Sequence, residues 1–178
     1  MILRQKSAWD GFTYEFLDDT RSQVLGGFSY AWFSQAKNAR LRAYSAEDAA
    51  KGDIQMTLNG KAWRVRHLYL SRGHLSDIRY TLETADESIH AQVDVLGKSA
   101  RQRLPRIVMT QPLGAEVGTS SGWPKKKFPI NETGTRRPLG CIREPSAIAF
   151  KRELLIDLAG VEPSVAAFLC VVALNVRY

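Results

Sequence analysis

The sequence predicts a mainly β protein, in which a closed barrel of about twelve antiparallel strands encloses a C-terminal hydrophobic helix at about residues 162–176. Short runs that alternate apolar and polar residues recur along the chain, separated by turn residues. A sheet of that many strands curls or closes, and closure removes its exposed edges. The apolar segment SVAAFLCVVALNV at 164–176 has no polar face, which is typical of a helix buried on all sides.

The first predicted strands flank an acidic turn. Residues 12–17 (FTYEFL) alternate aromatic with polar side chains, and QVLGGFSY at 23–30 resumes the extended pattern. Between them lie Asp18 and Asp19, and Asp favours turns because its carboxylate accepts hydrogen bonds from nearby backbone amides. We therefore interpret this acidic pair as turn residues and not as catalytic carboxylates.

The clearest hairpin signal is IQMTLNGKAWRVR at 54–66. Three alternate apolar residues precede Asn59 and Gly60, and Trp63 and Val65 resume the alternation. An Asn-Gly pair allows the positive φ angles of a two-residue type I′ turn. This segment therefore predicts two strands joined by a tight turn.

Later segments repeat the pattern of strand, turn and strand, and two regions interrupt it. Three more hairpins are predicted with turns near residues 85–88, 111–114 and 131–134, followed by a last strand at 153–158. The Ala- and Arg-rich segment 34–42 is expected to be helical or irregular, and 118–127 is expected to be a Gly/Ser/Pro loop. We expect a single domain that spans residues 1–178.

The terminal helix is expected to fill the barrel lumen. Pro163 suits a first helical turn, because its missing N–H would have no partner there. About 14 residues at 1.5 Å each reach roughly 20 Å, whereas a bilayer core is about 30 Å thick. No 18-residue apolar run and no signal-peptide pattern occur, so we expect no transmembrane segment and a cytoplasmic protein.

A run of hairpins, the strand ELLIDLAG at 153–160 and the apolar final helix together resemble the Tubby C-terminal-like superfamily. The resemblance covers residues 9–178, and it is closest to the LURP-one-related and phospholipid scramblase-like branch. It implies a barrel of about twelve strands around a central hydrophobic helix. The acidic calcium-binding cluster of the scramblases is missing, since Asp157 stands alone near the terminal strand. The resemblance thus implies lipid recognition without scramblase activity.

Charge is unevenly distributed along the chain. The 178 residues carry a net charge of +7, but residues 98–152 hold twelve Lys/Arg and only three Asp/Glu. Such a basic half suggests an anionic partner, namely phospholipid headgroups, nucleic acid or an acidic protein. The alternative is a solvated surface that only keeps the protein soluble.

Two basic groups are the candidate site. Trp123 precedes Lys125, Lys126 and Lys127, and the pair Arg136-Arg137 lies one predicted strand further on. Lys acts as a point charge and Arg can bind two phosphate oxygens at once, while a Trp can insert among headgroups. These residues are therefore candidate ligands for a phospholipid or an inositol phosphate, with peripheral contact at a membrane surface. The alternative is a solvated loop with Trp123 packed on the barrel rim.

The remaining signals disfavour other functions. No nucleophile-elbow, Walker or HExxH motif occurs, and His67, His74 and His90 lack metal-ligand spacing. Cys141 and Cys170 are expected to be free thiols. The basic stretch 98–106 has no interleaved aromatics, which makes nucleic acid a less favoured partner. We expect no enzymatic activity, no cofactor and no metal; a structural or protein-interaction barrel and a weak nucleic-acid binder stay open as alternatives.

Overall fold

A computed structural model describes residues 1–7, 13–29, 54–70, 77–97, 106–118, 127–145 and 151–175. The described residues form twelve β-strands and one α-helix. The strands are β1 (Ile2–Gln5), β2 (Thr13–Leu17), β3 (Val24–Ser29), β4 (Ile54–Leu58), β5 (Lys61–Tyr69), β6 (Ile78–Glu83), β7 (Ile89–Leu96), β8 (Arg106–Gln111), β9 (Ala115–Val117), β10 (Lys127–Glu132), β11 (Pro138–Arg143) and β12 (Glu153–Leu158), and the helix is α1 (Pro163–Asn175).

The twelve strands form a closed antiparallel barrel, which confirms the predicted fold class. Each strand pairs with its neighbours in sequence, and β1 pairs with β12 to close the circle. In that closing pair Leu3 stands opposite Leu154, and both side chains are buried. The sequence did not reveal β1, because four residues are too few for an alternating pattern to be recognised.

The predicted hairpins form, but the turn predicted at 131–134 lies at 133–137, because Asn131 and Glu132 belong to β10. Asn59 and Gly60 have φ angles of 50° and 74°, as a type I′ turn requires. In the acidic turn, the carboxylate of Asp18 accepts a hydrogen bond from the backbone N–H of Gln23 at 2.9 Å. The predicted segment 34–42 lies outside the described residues, as does 119–126 within the predicted Gly/Ser/Pro loop.

The C-terminal helix lies inside the barrel. All residues from Ser164 to Ala173 are buried, so no face of the helix meets solvent over nearly three turns. Its side chains share one apolar core with the inward residues of the strands. Full burial of a large apolar side chain such as Phe168 stabilises the fold by about 1.5–3 kcal/mol before the ordering entropy is subtracted.

The two ends of the barrel differ. At one end, which we call the turn end, the strands are joined by five tight connections: 18–23, 59–60, 84–88, 112–114 and 133–137. At the opposite end, which we call the loop end, strand termini are joined by six longer connections: 6–12, 30–53, 70–77, 97–105, 118–126 and 144–152. Helix α1 begins at the turn end, after β12, and runs through the lumen toward the loop end.

Candidate functional site

The structure separates the two basic groups that the sequence put forward. Lys127 is the first residue of β10, at the loop end, whereas Arg136 and Arg137 lie in the turn between β10 and β11, at the turn end. The six residues of β10 place roughly 20 Å between the two groups, at about 3.3 Å per residue. Lys127 and the arginines therefore cannot grip one phosphate together. Trp123, Lys125 and Lys126 lie outside the described residues.

The two arginines belong to a turn that has its own acidic partner. The guanidinium of Arg137 lies 3.4 Å from the carboxylate of Glu132. Thr135 donates a hydrogen bond to the same carboxylate at 2.6 Å, and the backbone N–H of Arg136 donates to the Glu132 carbonyl oxygen at 3.0 Å. Glu132 therefore organises this turn and offsets part of its positive charge.

A row of cations lies on the loop-end rim. Lys127 on β10 stands directly opposite Arg143 on β11, and both side chains are exposed. An anion at this rim could interact with both side chains, since each carries a positive charge. Lys151 and Arg152 precede β12, and Lys6 follows β1. Because β10, β11, β12 and β1 are consecutive in the barrel, these five side chains form one basic arc.

Acidic side chains neutralise only part of the basic arc. Glu144 pairs with Arg152 at 3.3 Å, whereas the carboxylate of Glu153, at the start of β12, accepts from Arg21 at 2.7 Å, which is not part of the arc. Arg143 forms no ion pair with any residue that the structure describes. The basic arc therefore keeps an excess of positive charge at the loop end.

In sequence, the net positive charge of the chain lies in the connections that join strand ends at the loop end and in the residues after α1. The described residues hold 14 Lys/Arg and 14 Asp/Glu, so they are neutral as a set. The other residues hold eleven Lys/Arg and four Asp/Glu, which is the entire net charge of +7. They belong to the six long connections and to the three residues after α1. Every one of those connections leaves the loop end.

The turn end has the opposite sign. Its five tight connections and segment 159–162, with one flanking residue on each side, carry seven Asp/Glu and four Lys/Arg. The excess is therefore acidic, and it includes the Asp18-Asp19 turn. An anionic surface would attract the loop end and repel the turn end.

A polar cluster at the start of α1 has residue types that could suggest catalysis. Nε2 of His90 lies 3.0 Å from Oε2 of Glu162 and 3.3 Å from Oγ of Ser164. A catalytic triad needs the hydroxyl and the carboxylate on different ring nitrogens, so that one orients the ring and the other gives up a proton. Here both contact the same nitrogen, and the Ser164 hydroxyl donates to Glu162 at 2.6 Å. This arrangement does not activate Ser164 as a nucleophile.

The His90 cluster instead joins the barrel wall to the start of the helix. The pairing of β6 with β7 shifts between Leu82 and Glu83, which leaves His90 without a partner in the register. Such a bulge re-aims a side chain, and the His90 ring packs 4.8 Å from the ring of Trp63. The Ser164 hydroxyl and, to a lesser extent, His90 lower the pKa of the Glu162 carboxyl. The sequence contains no signal for this cluster, because the position of the bulge and the point at which the helix enters the barrel depend on contacts between residues far apart in sequence.

The described residues contain no group of three or more His, Cys, Asp or Glu side chains arranged to hold a metal ion. Burial raises the pKa of the Cys170 thiol, so this cysteine stays protonated inside the barrel and is a poor nucleophile. Burial also lowers the pKa of His67, whose ring lies near Tyr69 and Tyr80 on the inner side of the barrel.

Within the described ranges, no helix combines the length and the apolar character that crossing a bilayer requires. Comparison of the chain with protein-family models finds no match. Neither the curated proteins nor the solved structures contain a match to it.

Proposed function

We propose that this protein is a non-enzymatic barrel that docks on an anionic phospholipid surface with its loop end. The observation that carries the proposal is the axial separation of charge: the turn end has seven Asp/Glu against four Lys/Arg, whereas the six connections that leave the loop end have thirteen Lys/Arg against six Asp/Glu, a net +7.

The physical argument rests on orientation as well as attraction. Each Lys or Arg near an anionic membrane contributes about 1 kcal/mol, and the attraction decays over a Debye length of about 8 Å at physiological salt. Cations at one end of a barrel can all lie within that distance of a flat surface, whereas cations spread around the wall cannot. The acidic turn end then points toward solvent.

The basic arc supplies ordered positive charge for this docking. Neighbouring strands are about 4.8 Å apart, so cations on four consecutive strand ends can span several headgroups. Lys127, the last residue of the predicted run Lys125-Lys126-Lys127, is the first residue of β10 and belongs to this arc. The Arg136-Arg137 pair is not part of the proposed surface, because it lies at the other end of β10.

Membership of the Tubby C-terminal-like superfamily stays a prediction. Its support is the arrangement of twelve strands around a buried terminal helix, which the resemblance implied. A shared fold alone does not assign a function, so the lipid proposal rests on where the charge lies.

The test is liposome flotation at two salt concentrations, with phosphatidylcholine vesicles compared with phosphatidylserine and phosphoinositide vesicles. Two double variants change the charge equally: Lys127→Glu with Arg143→Glu at the loop end, and Arg136→Glu with Arg137→Glu at the turn end. We expect salt-sensitive binding to anionic vesicles that the loop-end variant loses and the turn-end variant keeps.

Failure of the wild type to bind any anionic vesicle at low salt would overturn the proposal. Equal losses in both double variants would also overturn it, because binding would then follow net charge and not the loop end. Binding to DNA with a steep salt dependence, without binding to vesicles, would favour a nucleic-acid partner.

A further inference from the structure

Three consecutive apolar residues are exposed at the end of β5. Leu68, Tyr69 and Leu70 are 59%, 42% and 42% exposed. The other large hydrophobic residues exposed in the described part of the chain, Val24 and Ile89, stand singly at the turn end. Single exposed apolar residues are ordinary. Side chains alternate along a strand, so Leu68 and Leu70 lie on the outer face of β5 and Tyr69 on the inner face, and the end of this strand exposes apolar side chains on both faces. Such a group is larger than the single exposed residues elsewhere and indicates an interaction surface.

This apolar tip is held by an ordered strand pair. The pairing of β5 with β4 ends where Val65 stands opposite Ile54. Beyond that point β5 continues along β6, with Leu68 opposite Arg79 and Tyr69 opposite Ile78. The backbone N–H of Leu70 then donates to the carbonyl oxygen of Asp77 at 2.8 Å. The tip therefore extends past the β4 register at the loop end, with its backbone hydrogen-bonded.

The two arginines beside the tip are each paired with a carboxylate, Arg66 with Glu83 at 3.6 Å and Arg79 with Asp94. Leu68 and Leu70 share the outer face with Arg66, because side chains alternate along a strand. Arg79, opposite Leu68, binds the Asp94 carboxylate through two nitrogens at 2.8 and 2.9 Å. The Asp77 carboxylate accepts from the backbone N–H of Gly97 at 2.6 Å. Both acids near the tip are thus engaged with donors, which limits their repulsion of an anionic surface.

We infer that the tip formed by Leu68, Tyr69 and Leu70 inserts into the interfacial layer of an anionic bilayer. This inference rests on the proposed function. The tip lies at the loop end, to which the six longer connections, with a net charge of +7 between them, also belong. Leucine side chains gain from leaving water, and a tyrosine is suited to the headgroup level because its ring is apolar and its hydroxyl polar. Three side chains are too small a surface for a stable protein dimer, which buries about 800 Å² per partner.

The test compares two double variants on phosphatidylserine vesicles. Leu68→Ser with Leu70→Ser removes the tip, and Val24→Ser with Ile89→Ser removes two equally exposed apolar residues at the turn end. We expect the tip variant to bind about tenfold more weakly or worse at both salt concentrations, with an unchanged salt dependence. The turn-end control should bind like the wild type.

A depth measurement keeps the inference testable if the tip variant folds poorly. Trp is introduced singly as Leu70→Trp and as Val24→Trp, and fluorescence quenching by lipids brominated on their acyl chains is compared with the wild type. We expect additional quenching only in Leu70→Trp.

The outcomes separate the two proposals. If the wild type binds anionic vesicles while the tip variant binds equally well and Leu70→Trp is not quenched, insertion is wrong and electrostatic docking survives. If the wild type binds no vesicle, both proposals fall. If the wild type self-associates in sedimentation and the tip variant does not, the tip is an interface between copies of this chain, and insertion is overturned.

Discussion

Nε2 of His90 lies 3.0 Å from a carboxylate oxygen of Glu162, 72 residues further along the chain. This contact joins a bulge in the barrel wall to Glu162, the residue that directly precedes α1. Since α1 is buried on all sides, the orientation of the helix in the lumen depends on how its start is held. The His90 ring is packed against Trp63 as well, so the contact combines a polar and an apolar component.

The His90→Ala variant should lower the free energy of unfolding by about 1–2 kcal/mol, because it removes a charge-assisted hydrogen bond and a ring contact. The matched control is Gln92→Ala on the same strand, where the lost side chain donates to Thr110 on the exposed surface. We expect that control to change stability by no more than about 0.5 kcal/mol. Urea unfolding followed by circular dichroism measures both, and equal effects would contradict an anchoring role for His90.

Gly140→Ala should destabilise the barrel strongly. A Cβ atom at Gly140 would lie 2.0 Å from the backbone oxygen of Asp157 on β12, and the φ angle there is +134°. Gly134→Ala is the control, because its φ is +91° but no atom lies within 4 Å of the added Cβ. We expect about 1 kcal/mol for Gly134→Ala from backbone strain alone and about 3 kcal/mol or more for Gly140→Ala. A thermal melt compares them, and similar losses would show that β11 and β12 do not approach so closely.

The two cysteines should differ sharply in their reaction with a thiol reagent. Cys170 is fully buried in α1 and burial raises its pKa, whereas Cys141 is only half-buried on β11. We expect Cys141 to be modified in the native protein, and Cys170 to be modified only as fast as the barrel unfolds. Mass spectrometry after a timed pulse, with and without urea, follows each site. Rapid native modification of Cys170 would place the helix outside the lumen.

Stability should fall as pH is lowered through the range where histidine ordinarily titrates. Partial burial lowers the pKa of His67 in the folded state, so below about pH 6.5 the unfolded chain binds the proton more readily. The free energy of unfolding is therefore unaffected by the titration of His67 above that pH. It decreases as the pH falls toward the lowered pKa of His67 in the folded state, because protonation then favours the unfolded chain. His67→Phe should reduce this dependence between pH 7.5 and 5.5 in urea unfolding. An unchanged slope in that variant would exclude His67 as its source.

The sequence alone determined the elements whose cause is local. The alternation of apolar and polar residues and the Asn59-Gly60 turn predicted the β4–β5 hairpin, and in the structure β4 and β5 pair across that turn. The absence of a polar face predicted a buried terminal helix, and Pro163 marked its first residue. These features follow from neighbouring residues, because side-chain period and turn geometry are set within a few positions.

The combination of distant residues depends on the folded chain. The tertiary structure paired β1 with β12 across the whole chain, placed Lys127 beside Arg143 and away from Arg136, and turned His90 toward Glu162. It also assigned all six longer connections, which together carry a net charge of +7, to one end of the barrel, through the antiparallel order of the strands. Local pattern carries no information on these relationships, because strand register, bulge position and barrel closure depend on pairing between residues far apart in sequence.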